Sequence, residues 1–283
     1  MDYFVGILLF LIILFLYMHL HHQFKTSNEY EIYTLNQLQK EQLEEICNIR
    51  QPFLFPLNNQ ELNRNLTISS LFKHQPQLDL NIRENIPPKD DEELFLPISI
   101  KEGKKLFEHK NNYITEKNAD IISKMKSYFI TVDSFLKPPL LFKKIHDIKS
   151  GSKSSSTPLQ YSIYFRNYIY ITEGKIDLIL FTPTTFKKKQ IVKDYEHFEF
   201  RVNMNPWDVD IEEFQPLRIE AKEGDLVYIP PYWWFSMKYH KETTVISLQY
   251  QTYANTLAIS PNRILHFIQM QNIKRCTLKK MKL

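Results

Sequence analysis

The hydrophobic and polar positions of this chain fall into three regimes. The first is an unbroken apolar run, Tyr3–Leu20 (YFVGILLFLIILFLYMHL), with no Asp, Glu, Lys or Arg. As a helix rising about 1.5 Å per residue it reaches roughly 27 Å, near the hydrocarbon thickness of a thinner bilayer. Tyr3 and Tyr17 stand near its ends, where interfacial aromatics belong. A helix apolar on every face is buried either in a protein core or in a membrane, and one at the N-terminus is rarely a core helix. The pattern therefore predicts one N-terminal transmembrane helix, within an anchor of residues 1–25. Asp2 precedes it without a positive side chain, and no small-x-small site follows, which argues against a cleaved signal peptide.

The second regime has helical period. Asn36–Ile46 places Leu38, Leu43 and Ile46 among Glu, Gln and Lys, which predicts an amphipathic helix. Ile100–His109 reads as a short helix. Ser260-Pro261 predicts the start of another, with Ser as N-cap and Pro in the first turn. Its apolar face is Ile264, Phe267 and Ile268, and a basic tail follows to residue 283. Leu57–Pro88 reads as polar and irregular, and Ile114–Ser134 mixes helical and extended cues.

The third regime is a series of short β-prone runs. They are Tyr30–Thr34, Arg50–Pro56, Phe95–Ile100, Leu140–Ile148, Gln160–Ile171, Lys175–Phe181, His197–Val202, Leu226–Ile229, Tyr232–Tyr239 and Thr243–Tyr250. Gly151–Thr157 (GSKSSST) reads as a flexible turn. Glu223–Tyr239, EGDLVYIPPYWWFSMKY, is the most telling stretch. It carries a Gly-Asp turn, a short strand, a double-proline stop and a second aromatic strand. No helices alternate with the later strands, which argues against a doubly wound sheet. The expectation is a mainly β domain over residues 26–259, closed or double-sheeted, with helices near its ends. Residues 260–283 form a C-terminal helix and tail.

Composition narrows the function. The chain has 283 residues, 43% of them hydrophobic, enough for a sizeable core. A net charge of +4 is too weak to call for a nucleic-acid partner, and five glycines supply no phosphate-cradling loop. Cys47 and Cys276 form no CxxC and are expected as free thiols. There is no GxSxG, P-loop or HExxH. His197 and Glu199 share a strand face at i, i+2, and His240 follows later. This is a weak metal pattern, and ordinary surface roles are expected for all three. His19, His21 and His22 belong to the span boundary. Asp208, Asp210, Glu212 and Glu213 read as a solvated acidic loop, and Lys187, Lys188 and Lys189 as a solvated basic one.

Three pieces, in order, carry a family resemblance. They are STPLQYS at Ser156–Ser162, EGKIDLILFTP at Glu173–Pro183, and GDLVYIPPYWWF at Gly224–Phe235. They resemble the Jumonji-C-type cupins, double-stranded β-helix hydroxylases that use Fe(II) and 2-oxoglutarate. The resemblance covers about Tyr30–Tyr250. It implies a jelly-roll (double-stranded β-helix) fold with peripheral helices. In that family the pieces read "TPLHxD", "GxK…LFPP" and "GDxLFIPxxWWH". The two His and the Asp hold iron, and the Lys pairs with the cosubstrate. Here Gln160, Ser162 and Phe235 stand at the three ligand positions and Ile176 at the Lys position. The implied reading is a degenerate member with no metal and no cofactor. It is expected to be a membrane-anchored, non-catalytic binding or scaffold module, with an unknown protein partner. Two alternatives stay open: an oxygenase-like enzyme with unusual ligation, and a structural membrane component, for instance of a virus particle. Asp2 before the span and Lys25 after it favour a cytosolic C-terminal domain.

Overall fold

The structure, a computed structural model, describes residues 2–85, 95–186, 189–195, 198–202, 204–208 and 211–272. Helix α1 (Asp2–Gln23) contains the whole apolar run and continues past Leu20 through His21 and His22. It is long and apolar enough to cross a membrane, and none of its apolar stretch is buried against protein.

The strands that follow are β1 (Tyr33–Thr34), β2 (Phe53–Pro56), β3 (Asp79–Glu84), β4 (Leu96–Ser99), β5 (Tyr113–Thr115), β6 (Leu141–Gly151), β7 (Leu159–Ser162) and β8 (Arg166–Glu173). Then come β9 (Lys175–Phe181), β10 (Ile191–Asp194), β11 (Glu199–Val202), β12 (Leu217–Lys222), β13 (Asp225–Ile229), β14 (Trp234–Tyr239) and β15 (Thr243–Thr252). The helices are α2 (Lys40–Ile49), α3 (Gln60–Asn65), α4 (Ile68–His74), α5 (Ile100–His109), α6 (Ala119–Ser123), α7 (Ile130–Leu136), α8 (Tyr253–Ala258) and α9 (Ser260–Asn272). The chain is thus mainly β with helices around it, as its pattern predicts.

Two sheets result. One has the order β1-β2-β13-β8-β15-β6-β5-β3-β4 and the other β10-β11-β7-β14-β9-β12. Strand alternation explains the layers. In β8, Tyr168 and Tyr170 join an apolar cluster with Leu43 of α2, Leu62 of α3, Leu71 of α4 and Val132 of α7, so helices cover that face. Ile169 and Ile171 point the other way, into a cluster with Leu178 and Leu180 of β9 and Met237 of β14. That second cluster draws on both sheets and fills the space between them.

The Glu223–Tyr239 corner forms as its residues dictate. Gly224 has φ +88°, and a Cβ there would meet Asn58 Oδ1 at 2.3 Å, so the turn needs glycine. Asp225 Oδ2 accepts the Lys222 amide at 3.0 Å. After Pro230-Pro231 the chain reverses through Tyr232 at φ 68°.

Three expectations fail, each for a physical reason. Leu57–Pro88 is not irregular: up to Asn85 it holds α3, α4 and β3. Its two helices are too short to show a period, but Asn59 and Thr67 cap them by accepting the Leu62 and Ser70 amides. Gln160–Ile171 is not one strand. β7 ends at Ser162 in one sheet and β8 begins at Arg166 in the other. The crossing is silent in the sequence because Ile163 and Tyr164 stay buried. Gly151–Thr157 is not a loose turn, since Ser152, Ser155, Ser156 and Thr157 are all buried. Thr157 ties the segment to β14: its amide donates to Met237 O at 2.8 Å, its Oγ1 accepts the Met237 amide at 2.9 Å, and its carbonyl accepts from Ser236 Oγ at 2.6 Å. Ile114–Ser134 resolves into the end of β5, α6, a 3-10 turn at Lys126–Phe129 and the start of α7.

Candidate functional site

Gln160, Ser162 and Phe235 meet. Phe235 of β14 stands opposite Gln160 of β7, and all three line one small cavity of about 20 Å³. That volume admits about one water molecule. Gln160 is buried and its Nε2 has no protein acceptor, while Asn167 Oδ1 on the same cavity has no protein donor. Phe235 belongs to the apolar cluster with Trp233, whereas Trp234 packs in another cluster with Leu159 and Phe186. Ile176 does not line the cavity. It stands opposite Tyr239, along β9 from the Leu180 that faces Phe235, and is fully buried in the same cluster. Lys175, its neighbour, faces outward and pairs with Glu220 at 2.7 Å.

The weak HxE pattern does not assemble among the described residues. His197 lies outside them. Glu199 approaches Lys149 Nζ at 3.8 Å, and His240 bonds Asp177 Oδ2 at 2.9 Å on the surface. No cluster of three metal-ligating side chains occurs among the described residues. In the acidic loop, Asp208 Oδ2 accepts the Asn205 side-chain amide at 2.5 Å, and Asp210 lies outside the described residues. Lys187, Lys188 and Cys276 lie outside them too. Cys47 is buried 3.3 Å from Tyr168 Oη, and burial pushes its thiol up, away from a reactive thiolate.

What the sequence reading missed is a buried chain of charges beside the cavity. Arg83 Nη2 lies 3.0 Å from Glu116 Oε1, and Glu116 Oε2 lies 3.6 Å from Lys149 Nζ. Lys149 then reaches Glu199 of the other sheet. Burial alone would raise Glu116, but Arg83, Lys149 and Lys117 together bring it down to about 2. Burial likewise opposes the charge on Lys149, yet Glu199, Glu116 and Asp147 raise its pKa. Asp147 shares the interior face of β6 with Lys149. Burial pushes it up to about 6, although Lys149 and the amides of Asn118 and Lys117 pull the other way. Those amides reach its oxygens at 2.6 and 2.9 Å. Each charge is answered by another, so the chain acts as a tie between sheets. Its members come from β3, the β5–α6 connection, β6 and β11, separations that leave no motif to read.

Outside this tie lies an open groove of about 560 Å³, sharing Lys149, Glu199, Ser247 and Gln249 with the cavity. Lys126, Lys143, Lys144, Asp120, His146 and His266 line it. His146 Nε2 bonds Asp133 Oδ1 at 2.9 Å, and Tyr250 Oη donates to the same oxygen at 2.7 Å. Burial pushes Asp133 up, but His146, Lys144 and Tyr250 outweigh it and hold the carboxyl below its ordinary value. Among the described residues the hydrogen bond of the His146 ring goes to Asp133 and not to a serine, threonine or cysteine. Compared with known proteins, the chain matches no family model and no curated protein.

Proposed function

We propose that this chain is a membrane-anchored, non-catalytic binding module on a double-stranded β-helix scaffold, resembling the Jumonji-C-type cupins without their metal chemistry. The strand order supports the scaffold. β6, β15, β8 and β13 are neighbours in one sheet, and β7, β14, β9 and β12 in the other. From β6 to β9 and from β12 to β15, successive strands therefore alternate between sheets.

The observation that carries the non-catalytic reading is Phe235 set against Gln160 over a cavity with room for about one water. These side chains do not fit Fe(II). An amide, a neutral hydroxyl and a phenyl ring cannot replace two imidazoles and a carboxylate. Ile176 offers no cation to a cosubstrate, and Lys149 is committed to Glu116 and Glu199. The adjoining groove has the size of a ligand or peptide site, and its mixed charge suits a polar partner. The expected result is that anaerobically purified chain takes up no stoichiometric iron and turns over no 2-oxoglutarate. Iron with coupled turnover sinks the non-catalytic reading. Gln160→His, Ser162→Asp and Phe235→His together are expected to create measurable iron binding. A folded triple variant with no gain refutes the correspondence of these positions to the family's ligands.

The span supports the anchor, and the charges flanking it support a cytosolic domain. Ile12→Asp at the centre of α1 is expected to weaken insertion by about 2.5–3.5 kcal/mol, read as loss from carbonate-washed membranes. Glycosylation at the Asn65-Leu66-Thr67 sequon would put the domain on the opposite side.

A further inference from the structure

Several large apolar side chains stand in water on one face of the domain. Leu140 is 78% exposed, Tyr253 62%, Leu257 54% and Phe267 63%. They are not scattered. Tyr253 N donates to Leu140 O at 3.2 Å, and the Tyr253 ring lies 5.2 Å from that of Phe142. The Arg263 guanidinium sits 5.3 Å over Phe142, which brings α9 to the same place. Tyr253 and Leu257 share a face of α8 at i, i+4. Ile264, Phe267 and Ile268 share a face of α9 by the same rule, and all are exposed.

The position of this face relative to α1 says what covers it. α1 packs against α8. Along α1 the side chains are exposed until Leu20, which is half-buried, and Gln23, which is buried. The contact thus falls at the C-terminal end of the apolar run, where the helix leaves the hydrocarbon. α8 is held at that exit, and α9 follows it directly. The exposed composition is aromatic and aliphatic with an arginine beside it, which suits the boundary between headgroups and acyl chains. Contiguous apolar surface of this kind marks an interaction site.

We propose that the face made by α8, the start of β6 and α9 rests on the lipid surface beside the exit of α1, as a second membrane contact that fixes the domain's orientation. This rests on the reading of α1 as a span. The domain then stands on the bilayer and does not swing on a tether.

The test uses the full chain with Cys276→Ser, Cys47 being buried, reconstituted in phosphatidylcholine–phosphatidylserine vesicles. An environment-sensitive fluorophore is attached in turn through Leu257→Cys, Phe267→Cys, Ile12→Cys and Glu220→Cys. Glu220 is a control, its side chain 75% exposed on β12 of the other sheet. Lipids brominated high in the acyl chain are expected to quench the labels at 257 and 267 severalfold more than the label at 220. Quenching at 12 with none above control at 257 and 267 overturns the docking and leaves the anchor standing. No quenching at 12 overturns the anchor and the docking with it. Labels at 257 and 267 that are dry but unquenched by lipid, and change with protein density, assign the face to a second copy and overturn the proposal.

Discussion

Glu116→Gln is expected to destabilise the domain by roughly 3–5 kcal/mol at neutral pH, the usual effect of breaking a buried ion pair from one side. Glu116 stands between Arg83 and Lys149, all three of them buried. The neutral amide keeps the shape but removes the anion shared by Arg83 and Lys149, while Glu199 and Asp147 still face Lys149. Because the folded pKa is about 2 against an ordinary 4.5, the carboxylate's contribution is complete above about 4.5. It is lost as pH falls through about 2. The fall corresponds to roughly 3 kcal/mol. Asp147 works with the opposite sign. Its folded pKa of about 6 exceeds the ordinary 3.8, so its charge costs stability above about 6, and that cost is relieved as pH falls toward 4. Denaturant unfolding of the detergent-solubilised chain from pH 2 to 8 checks both. The parent should gain stability from pH 6 toward 4 and lose it below. Glu116→Gln should lose the acid limb and keep the gain. A variant within about 0.5 kcal/mol of the parent at pH 7 would show that the carboxylate is not a buried tie.

Phe235→Ala is expected to cost roughly 3–5 kcal/mol. The ring is 9% exposed and packs with Trp233, Leu180 and Met237 between the sheets. Removing it joins a ring-sized hole to the existing cavity, and strands on both sides hold the walls apart. Phe235→Leu conserves most of the volume and should cost under about 1.5 kcal/mol. The same unfolding measurement decides between core and ligand pocket. If Phe235→Ala leaves stability unchanged but alters binding at the groove, the interior is an open apolar site and not collapsed core.

Much of this is legible in the sequence. The helix of spanning length could be read from the charge-free apolar run Tyr3–Leu20 alone, and α1 (Asp2–Gln23) is that helix. The corner at Gly224–Tyr232 was legible because glycine and proline constrain the backbone whatever surrounds them. The inward side of Phe235 and Trp233 followed from the two-residue period of a strand, and the clusters agree. Local chemistry with a fixed period or a fixed φ is written in sequence order.

The rest depended on which distant segments meet. α3 and α4 needed caps and a cluster to stand on, since six or seven residues carry no usable period. The passage of the chain from β7 to β8 between sheets left no glycine or proline to mark it. The Arg83–Glu116–Lys149–Glu199 tie joins four segments, and each residue alone reads as an ordinary surface charge. A charge is affordable inside a protein only when its partner is also there, and partner distance is a property of the fold. The sequence by itself determined the long apolar helix and the strand-rich class, because those depend on each residue and its near neighbours. Only the tertiary structure decided that Gln160, Ser162 and Phe235 share one cavity and that a buried chain of charges runs beside it, because both depend on contacts between segments far apart in the chain.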